Sequence, residues 1–327
     1  MTITSHDVAR LAGVSQPTVS RALRGDTRVS DSTRAKVVRA ADVLGYVPSQ
    51  LGRSLSTRSA RQVAMVADLD NPLYPMLVGP LHDRFAELGY RMVLLAERGD
   101  DRTTYERLLD RSVDAAVLTT PLLNSSLATM LASKSIPFVE LNRSSGVDQA
   151  DAVTADNHGG GQACARLLLE LGHRRIGAVL GPAETSSSRD REAGFRAALD
   201  EAGVTLPSKW VARGAFTYED GVRGFAAVMS ASPRPTALFC VNDMVAVGAL
   251  NRAIVDGVSI PDDVAVVGFD DLPIASWPSF RLTTVKVDFA QMARAAADLV
   301  VRRLAGQTSP EQHAFATRLV LRSTHAG

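Results

Sequence analysis

From Gln62 onward the chain alternates short apolar runs with amphipathic segments, and this alternation constrains the fold more than any other feature. Short apolar runs are typical of buried strands, and amphipathic segments are typical of helices that pack on a sheet. Their alternation predicts parallel sheets with helices on both faces. The predicted strands include Val63–Ala67, Arg91–Leu95, Ala115–Leu118, Ile136–Leu141, Ile176–Leu180, Ala237–Val241 and Val264–Gly268.

About ten such strands exceed one comfortable sheet, so we expect two α/β lobes with a cleft between them. In open α/β sheets, ligands bind beyond the carboxyl ends of the strands. Polar and aromatic residues that follow the apolar runs are therefore candidates for a binding site. These residues are Asn71–Tyr74, Asn142-Arg143, Ser186–Arg191, Phe216, Asn242-Asp243 and Asp270-Asp271.

The first 45 residues predict three short helices. A residue able to cap a helix precedes each one, and a glycine follows the first and the third. The caps are Thr4, Ser15 and Ser30, and the glycines are Gly13 and Gly45. The second helix is predicted from Gln16 to about Arg24 and the third from Asp31 to about Leu44. The buried stripe of the third helix is predicted to be Ala35, Val38, Ala41 and Leu44. This arrangement predicts a helix-turn-helix unit.

The charge of the chain is unevenly distributed. The formal net charge is only +1, but residues 1–61 contain ten of the 36 Lys and Arg and four of the 35 Asp and Glu. The segment therefore carries +6, and the remaining 26 basic and 31 acidic residues give −5. Charge alone leaves open a solvated basic face without a partner. Combined with the helix-turn-helix pattern, it favours a module that binds DNA.

Several runs of the sequence resemble the lactose-repressor/galactose-repressor (LacI/GalR) family of bacterial transcriptional regulators. In the N-terminal part these runs are DVARLAGVSQPTVSRAL, VSDSTRAKV and LGYVPSQLGRSL. In the rest of the chain they are DNHGGGQACARLLLELGHRRIG, GPAETSSSRDREAGF, VNDMVAVGAL, VGFDD and LTTVKVDF. The resemblance therefore extends over nearly the whole chain and occurs in family order.

The resemblance implies a fold and a domain organisation. We expect an all-α helix-turn-helix head with a hinge helix, joined to a two-lobed α/β core like that of periplasmic binding proteins, with two parallel sheets. The head is predicted at residues 1–46, the hinge at 47–60 and the core at 61–327. Within the core, the N-lobe is assigned to about 61–157 and 289–315, and the C-lobe to about 158–286 and 316–327.

The resemblance also implies which residues bind DNA. The second helix is expected in the major groove, where Arg21 can donate to guanine, Gln16 can pair with adenine and Pro17 can only make apolar contact. Hydroxyls at helix starts are expected to bind phosphate, although each can equally serve only as a cap. They belong to Thr4, Ser15, Thr18, Ser30 and Thr33. Arg24 replaces the asparagine most frequent in the family and adds a possible phosphate or base contact.

The hinge segment, Ser49 to Ser56, is too short to form a stable helix alone. The family's hinge folds on DNA, where a leucine from each subunit wedges into the minor groove; Leu55 matches that residue. Packing of Leu55 on the core is the alternative. Gly52 replaces the usual alanine, which predicts a looser hinge at a cost of up to about 1 kcal/mol.

Effector-binding residues are carried over from the same resemblance. Arg191, Asn242 and Asp270 are the expected polar contacts, with Tyr74 and Phe216 as aromatic walls suited to a sugar. Asn142 replaces a frequent aspartate of the family. Two alternatives stay open at this stage, because Asp270 can cap a turn and Arg191 can pair with Glu192 or Asp190.

Enzyme motifs are missing from the sequence. The run His158–Gly161 resembles a lipase oxyanion motif, but the chain has no G-x-S-x-G elbow, and the glycines are better explained by close helix packing. Neither G-x-x-x-x-G-K-[S/T] nor G-x-G-x-x-G occurs, and no Cys/His spacing suggests a metal. We therefore expect a protein that is not an enzyme and has no cofactor or metal.

The sequence predicts a cytoplasmic homodimer that associates with the nucleoid when bound to DNA. The N-terminus lacks a signal-peptide pattern, and two cysteines cannot form a disulfide framework. No leucine heptad follows Leu319–Ser323, so a dimer is expected rather than a tetramer. The expected partners are operator DNA and a small effector, with no membrane. A transport-type sugar-binding protein is the alternative, and the basic head argues against it.

Overall fold

The chain forms two compact units, Met1–Ala60 and Arg61–Gly327, in the computed structural model. The structure describes residues 3–23, 25–46, 59–96, 102–110 and 112–326. The predictions for Arg24, Gly52 and Leu55, and for the hinge helix, lie outside the described residues.

The head contains three helices around one small apolar core. They are α1 (Ser5–Ala12), α2 (Gln16–Leu23) and α3 (Asp31–Leu44). The Thr4 amide donates to Asp7 Oδ2 at 2.9 Å, and the Thr33 amide donates to Ser30 Oγ at 3.3 Å. Left-handed glycines end α1 and α3, at Gly13 and Gly45. The predicted helices and caps are therefore present.

The predicted stripe of α3 was correct at Ala41 and Leu44 and wrong at Ala35 and Val38. Val38 is 41% exposed and Ala35 is also exposed, whereas Val37, Ala40 and Ala41 are buried against α1 and α2. A helix with alanines and valines at several spacings has two possible apolar stripes, and the helices that cover it select one.

The described part of the larger unit contains twelve strands. They are β1 (Gln62–Ala67), β2 (Arg91–Ala96), β3 (Ala115–Leu118), β4 (Phe138–Leu141), β5 (Asp151–Ala155), β6 (Ile176–Leu180), β7 (Val211–Arg213), β8 (Ala237–Cys240), β9 (Ala265–Val267), β10 (Thr284–Lys286), β11 (Gln312–Phe315) and β12 (Arg318–Val320).

These strands form two parallel sheets and one small antiparallel sheet. The first parallel sheet has the order β11-β5-β4-β3-β1-β2 and the second the order β7-β6-β8-β9, with every pairing parallel. The third sheet pairs β10 with β12 in antiparallel orientation.

Eight α-helices accompany these strands in the described part of the larger unit. They are α4 (Pro75–Glu87), α5 (Arg102–Leu109), α6 (Ser126–Ser133), α7 (Asn157–Glu170), α8 (Ser186–Glu201), α9 (Tyr218–Met229), α10 (Asp243–Asp256) and α11 (Phe289–Leu304). Two single 3₁₀ turns, Ser208–Trp210 and Pro273–Ser276, complete the regular structure there.

The strands of the two parallel sheets fall within the ranges predicted for the two lobes. The six-stranded sheet draws on residues 62–155 and 312–315, and the four-stranded sheet on residues 176–267. The lobe boundaries themselves stay a prediction. The listed apolar runs did not include β5, β7, β10, β11 or β12, because these strands carry polar residues or are only three residues long.

Glycines bring α7 and α8 into backbone contact. A Cβ on Gly161 would lie 2.1 Å from the Arg191 carbonyl oxygen, and one on Gly194 would lie 1.9 Å from the His158 carbonyl oxygen. Neither approach is possible with a side chain present. The glycines after His158 therefore serve close helix packing, as expected, and this packing fixes α8 beside the second sheet.

Candidate functional sites

The predicted base-facing residues lie along α2 of the head. Pro17 and Arg21 are exposed, and Gln16 is half-buried. The Gln16 side-chain amide donates to Ser5 Oγ at 3.2 Å, so it must leave this contact to pair with a base. Arg21 is therefore an exposed hydrogen-bond donor of α2, and its contact with DNA stays a prediction.

The predicted phosphate-binding hydroxyls occupy helix starts. Ser15 Oγ lies 2.8 Å from Thr18 Oγ1, and Ser30 Oγ donates to Thr33 Oγ1 at 2.9 Å. Thr4 Oγ1 donates to Asp7 Oδ2 at 2.8 Å. The capping role that the sequence left open is therefore present at all three starts. A contact between these exposed positions and phosphate stays a prediction.

One small cavity in the larger unit is lined by all six predicted effector-binding residues. They are Tyr74, Asn142, Arg191, Phe216, Asn242 and Asp270. Asn71, Leu73, Arg143 and Ser187 complete the lining. These four lie in the segments that the sequence named as candidates for a binding site, but they were not among the six residues carried over from the family resemblance. Sequence position alone did not show which residues of those segments face inward.

Arg191 is the most completely bonded residue of the cavity. Its Nε donates to Asn157 Oδ1 at 2.9 Å, its Nη1 to the Val241 carbonyl oxygen at 2.8 Å and its Nη2 to Asp270 Oδ1 at 2.8 Å. Its guanidinium also stacks on Phe269 at 3.8 Å from the ring centroid. The proposed pairing with Glu192 or Asp190 is wrong, because those carboxylates pair with Arg196, Arg213 and Arg189.

Asn242 joins the cavity wall to α10. Its Oδ1 accepts from the Val245 amide at 2.9 Å, and its Nδ2 donates to the Phe216 carbonyl oxygen at 3.1 Å. The residue therefore caps a helix and also fixes the position of Phe216. Opposite, Tyr74 is almost fully buried, and its hydroxyl donates to the Thr119 carbonyl oxygen at 3.3 Å.

Three of the lining residues adopt left-handed backbone conformations. The φ angles are 75° at Asn142, 71° at Phe216 and 112° at Asp270. Such conformations are costly for residues other than glycine and persist only where the surroundings impose them. Their concentration around one cavity is typical of a functional site, because strain of this kind clusters where side chains must face a ligand.

Two buried carboxyls at this end of the second sheet have raised pKa values. Burial raises the pKa of Asp270, although the Arg191 guanidinium opposes the shift. Burial also raises the pKa of Asp243 well above its ordinary value, and the nearby charge of Asp270 adds to the effect. The Asp243 carboxyl accepts from the Leu272 amide at 2.7 Å and from Thr284 Oγ1 at 2.5 Å.

Metal-binding clusters, membrane-spanning helices and reactive thiols are missing from the residues that the structure describes. No group of three or more His, Cys, Asp or Glu side chains is arranged to hold a metal ion there. None of the helices in the same ranges is both long and apolar enough to cross a membrane. Cys164 and Cys240 are fully buried, and burial raises the pKa of both thiols, so neither is a reactive nucleophile.

Comparison with known proteins agrees with this architecture. The family model of bacterial regulatory proteins of the lacI family matches residues 4–49, and that of the periplasmic binding protein-like domain matches residues 165–325. The HTH-type transcriptional regulator CelR of Thermobifida fusca is 34% identical, over 97% of this chain and 96% of its own. The ribose operon repressor of Escherichia coli (strain K12) is 31% identical, over 97% and 98%.

Solved structures give the same result. A transcriptional regulator CelR–cellobiose complex matches with a TM-score of 0.78 at 33% identity, over 98% of this chain and 99% of that chain. The lac repressor dimer bound to operator and the anti-inducer ONPF matches with a TM-score of 0.91 at 26% identity, over the full length of both chains.

A helix-turn-helix head on a two-lobed core with two parallel sheets defines a DNA-binding transcriptional regulator. The chain belongs to the LacI family of bacterial regulatory proteins. The predicted family and fold class are thereby confirmed.

Proposed function

We propose that this regulator represses transcription by binding a near-palindromic operator as a homodimer, and that a sugar or sugar-like effector in the cavity controls its affinity for DNA. The observation that carries the proposal is the cavity, where six residues from distant segments place polar and aromatic groups around one space. The relatives support it, since one structure is titled as a cellobiose complex and another as a dimer on its operator.

The head supplies the DNA contacts in this proposal. Arg21 donates two hydrogen bonds to guanine O6 and N7, Gln16 reads adenine and Pro17 contacts a thymine methyl. The hydroxyls at the helix starts, together with Arg24, hold the phosphates and set the register without reading sequence. Leu55 wedges into the minor groove. Two heads related by a two-fold axis require two half-sites.

The cavity residues supply the effector contacts. Tyr74 and Phe216 give apolar walls for the C–H faces of a sugar, and Asn142, Arg191, Asn242 and Asp270 bond its hydroxyls. An effector that binds one arrangement of the lobes more tightly shifts the dimer toward that arrangement. Its influence on DNA binding equals the difference between its affinities for the two states.

The same proposal places the protein in the cytoplasm, at the nucleoid when DNA is bound, and assigns it no catalytic activity. Its relatives are regulators rather than enzymes. A regulator acts by binding equilibria alone, so its cavity needs complementarity to a ligand ground state and not to a transition state.

Footprinting of the gene's upstream region tests the proposal. We expect protection of a palindromic site, an affinity that falls steeply as salt rises, and release or tightening on addition of a sugar. Sedimentation is expected to give a dimer. The absence of any protected palindrome, or binding that is insensitive to salt, would contradict the regulatory role and favour a sugar-binding protein without DNA function.

A further inference from the structure

Arg143 is a cation of the cavity wall that forms no ion pair with any residue that the structure describes. Its guanidinium carbon lies 5.0 Å from the Phe216 ring centroid, and its Nε is buried without a hydrogen-bond partner. Across the described ranges of the chain, no carboxylate oxygen lies within ion-pair distance of Arg143. A guanidinium in this position is partly desolvated and keeps donors available for a ligand.

The cavity lining has fewer negative than positive charges. The charge of Arg143 acts on the Asp270 carboxyl and lowers its pKa, but the two groups form no ion pair. The ten lining residues include two arginines and one carboxylate, so the lining carries one excess positive charge. The carboxylate, Asp270, is already paired with Arg191 through Oδ1. The excess charge therefore belongs to Arg143.

The first turn of α8 adds positive potential at the same place. Ser187 and Arg191, one turn apart on α8, both line the cavity. The Ser144 amide donates to Ser186 Oγ at 2.8 Å, which holds the segment containing Arg143 directly against this helix start. The turn contains no acidic residue, and Thr185 makes no side-chain cap. The free N–H groups of a helix start attract anions.

The cavity wall also contains a buried hydrogen-bond acceptor without a partner, on Asp270. Asp270 is 1% exposed, yet its Oδ2 has no hydrogen-bond partner. An unpaired carboxylate oxygen accepts from a hydroxyl and repels an anion, so it fits a different part of the ligand. The cavity thus presents a guanidinium for an acidic group and a carboxylate oxygen for a hydroxyl.

We infer that the effector is a sugar-like polyol bearing an acidic group, which binds between Arg143 and the first turn of α8 while a hydroxyl of the same molecule donates to Asp270 Oδ2. The acidic group is the carboxylate of a sugar acid or the phosphate of a phosphorylated sugar. This inference rests on the proposed function, because it specifies the chemistry of the effector in the same cavity.

Calorimetric titration with matched compounds tests the inference. Each set contains a neutral sugar and at least one acidic derivative: glucose, gluconate, glucuronate and glucose 6-phosphate; galactose, galacturonate and galactose 6-phosphate; ribose and ribose 5-phosphate. We expect an acidic member of at least one set to bind at least about tenfold more tightly than its neutral parent. The acid and phosphate arms separate the two sources of negative charge, and inorganic phosphate alone measures the anion contact without the polyol.

Arg143→Gln identifies the residue responsible. The substitution is expected to weaken the acidic ligand at least about tenfold and the neutral parent less than about twofold. Arg189→Gln is the matched control, since Arg189 lies on α8, pairs with Asp190 and does not line the cavity. It is expected to leave both affinities unchanged. If Arg143→Gln fails to fold, Arg143→Lys, which keeps the charge, must retain the preference for the acidic member.

Equal or tighter binding of the neutral parents overturns the inference, as does binding of none of the compounds. An equal loss in Arg189→Gln also overturns it, because the effect would then reflect the overall charge and not the contact. The operator footprint decides the proposed function separately. A neutral sugar that releases the operator while its acid does not would contradict this inference without contradicting the proposed function as a repressor.

Discussion

Arg191 and Asp270 stand 79 residues apart in the chain and form a buried ion pair, with Nη2 2.8 Å from Oδ1. Their side chains are 3% and 1% exposed. Removing two charges from water is costly, so such a pair persists only where further hydrogen bonds complete it. Asn157 and the Val241 carbonyl oxygen accept those bonds from Arg191. The second carboxylate oxygen of Asp270, Oδ2, has no hydrogen-bond partner, and Asp270 lines the cavity.

Arg191→Met is expected to lower the free energy of unfolding by about 3–5 kcal/mol, because it leaves the Asp270 carboxylate buried without a counter-charge. Urea denaturation at neutral pH measures the loss. Arg191→Met combined with Asp270→Leu removes both charges and is expected to lose less than the two single variants together. Strict additivity of the two single losses would contradict the coupling.

Gly161→Ala is expected to lower the free energy of unfolding by about 1–3 kcal/mol, because its Cβ would meet the Arg191 carbonyl oxygen at 2.1 Å. Gly79→Ala in α4 is the control, since no atom outside its own helix and chain neighbours lies within 4 Å of its Cβ. Pro80 follows Gly79 and disfavours the helical conformation of a non-glycine residue before it, which offsets the benefit of a less flexible unfolded chain, so this control is expected to change the free energy of unfolding by less than about 1 kcal/mol. Urea denaturation of both variants is expected to show the larger loss in Gly161→Ala if the contact between α7 and α8 decides the outcome. A loss in Gly79→Ala equal to that in Gly161→Ala would argue against it.

Asp243→Asn is expected to change how stability depends on pH. Burial raises the pKa of Asp243, so the contribution of this group is fully present below the ordinary value near 3.8 and is lost as pH rises through the raised pKa. The free energy of unfolding of the parent minus that of Asp243→Asn should therefore fall as pH rises above about 4 and level off once the pH exceeds the raised pKa. Its slope can reach about 1.4 kcal/mol per pH unit. Denaturation at several pH values measures it, and a difference that stays constant would show that the carboxyl keeps an ordinary pKa.

Arg21→Ala is expected to weaken operator binding by about 1–3 kcal/mol and to relax the preference at one base pair. Gel shifts with the operator and with scrambled DNA measure the two effects. Arg39→Ala, an exposed arginine on α3 outside the predicted contacts, serves as the control and should change operator affinity little. If Arg21→Ala weakens operator and scrambled DNA equally, Arg21 contacts phosphate and does not read a base.

The sequence by itself determined the local structure and the family. Caps such as Thr4 and Ser30, the glycines that end helices and the alternation of apolar runs depend on neighbouring residues, so they can be read along the chain. The resemblance to the family then supplied six residues that the structure brings around one cavity.

Only the tertiary structure decided which distant groups meet. Glu192 and Asp190 are Arg191's neighbours in sequence, yet its carboxylate partner is Asp270, because the packing of α7 on α8 directs the guanidinium inward. The buried stripe of α3 and the place of Arg143 in the cavity wall were likewise settled by packing. Hydrogen bonds and ion pairs between remote segments depend on the relative placement of whole elements, which local patterns do not specify.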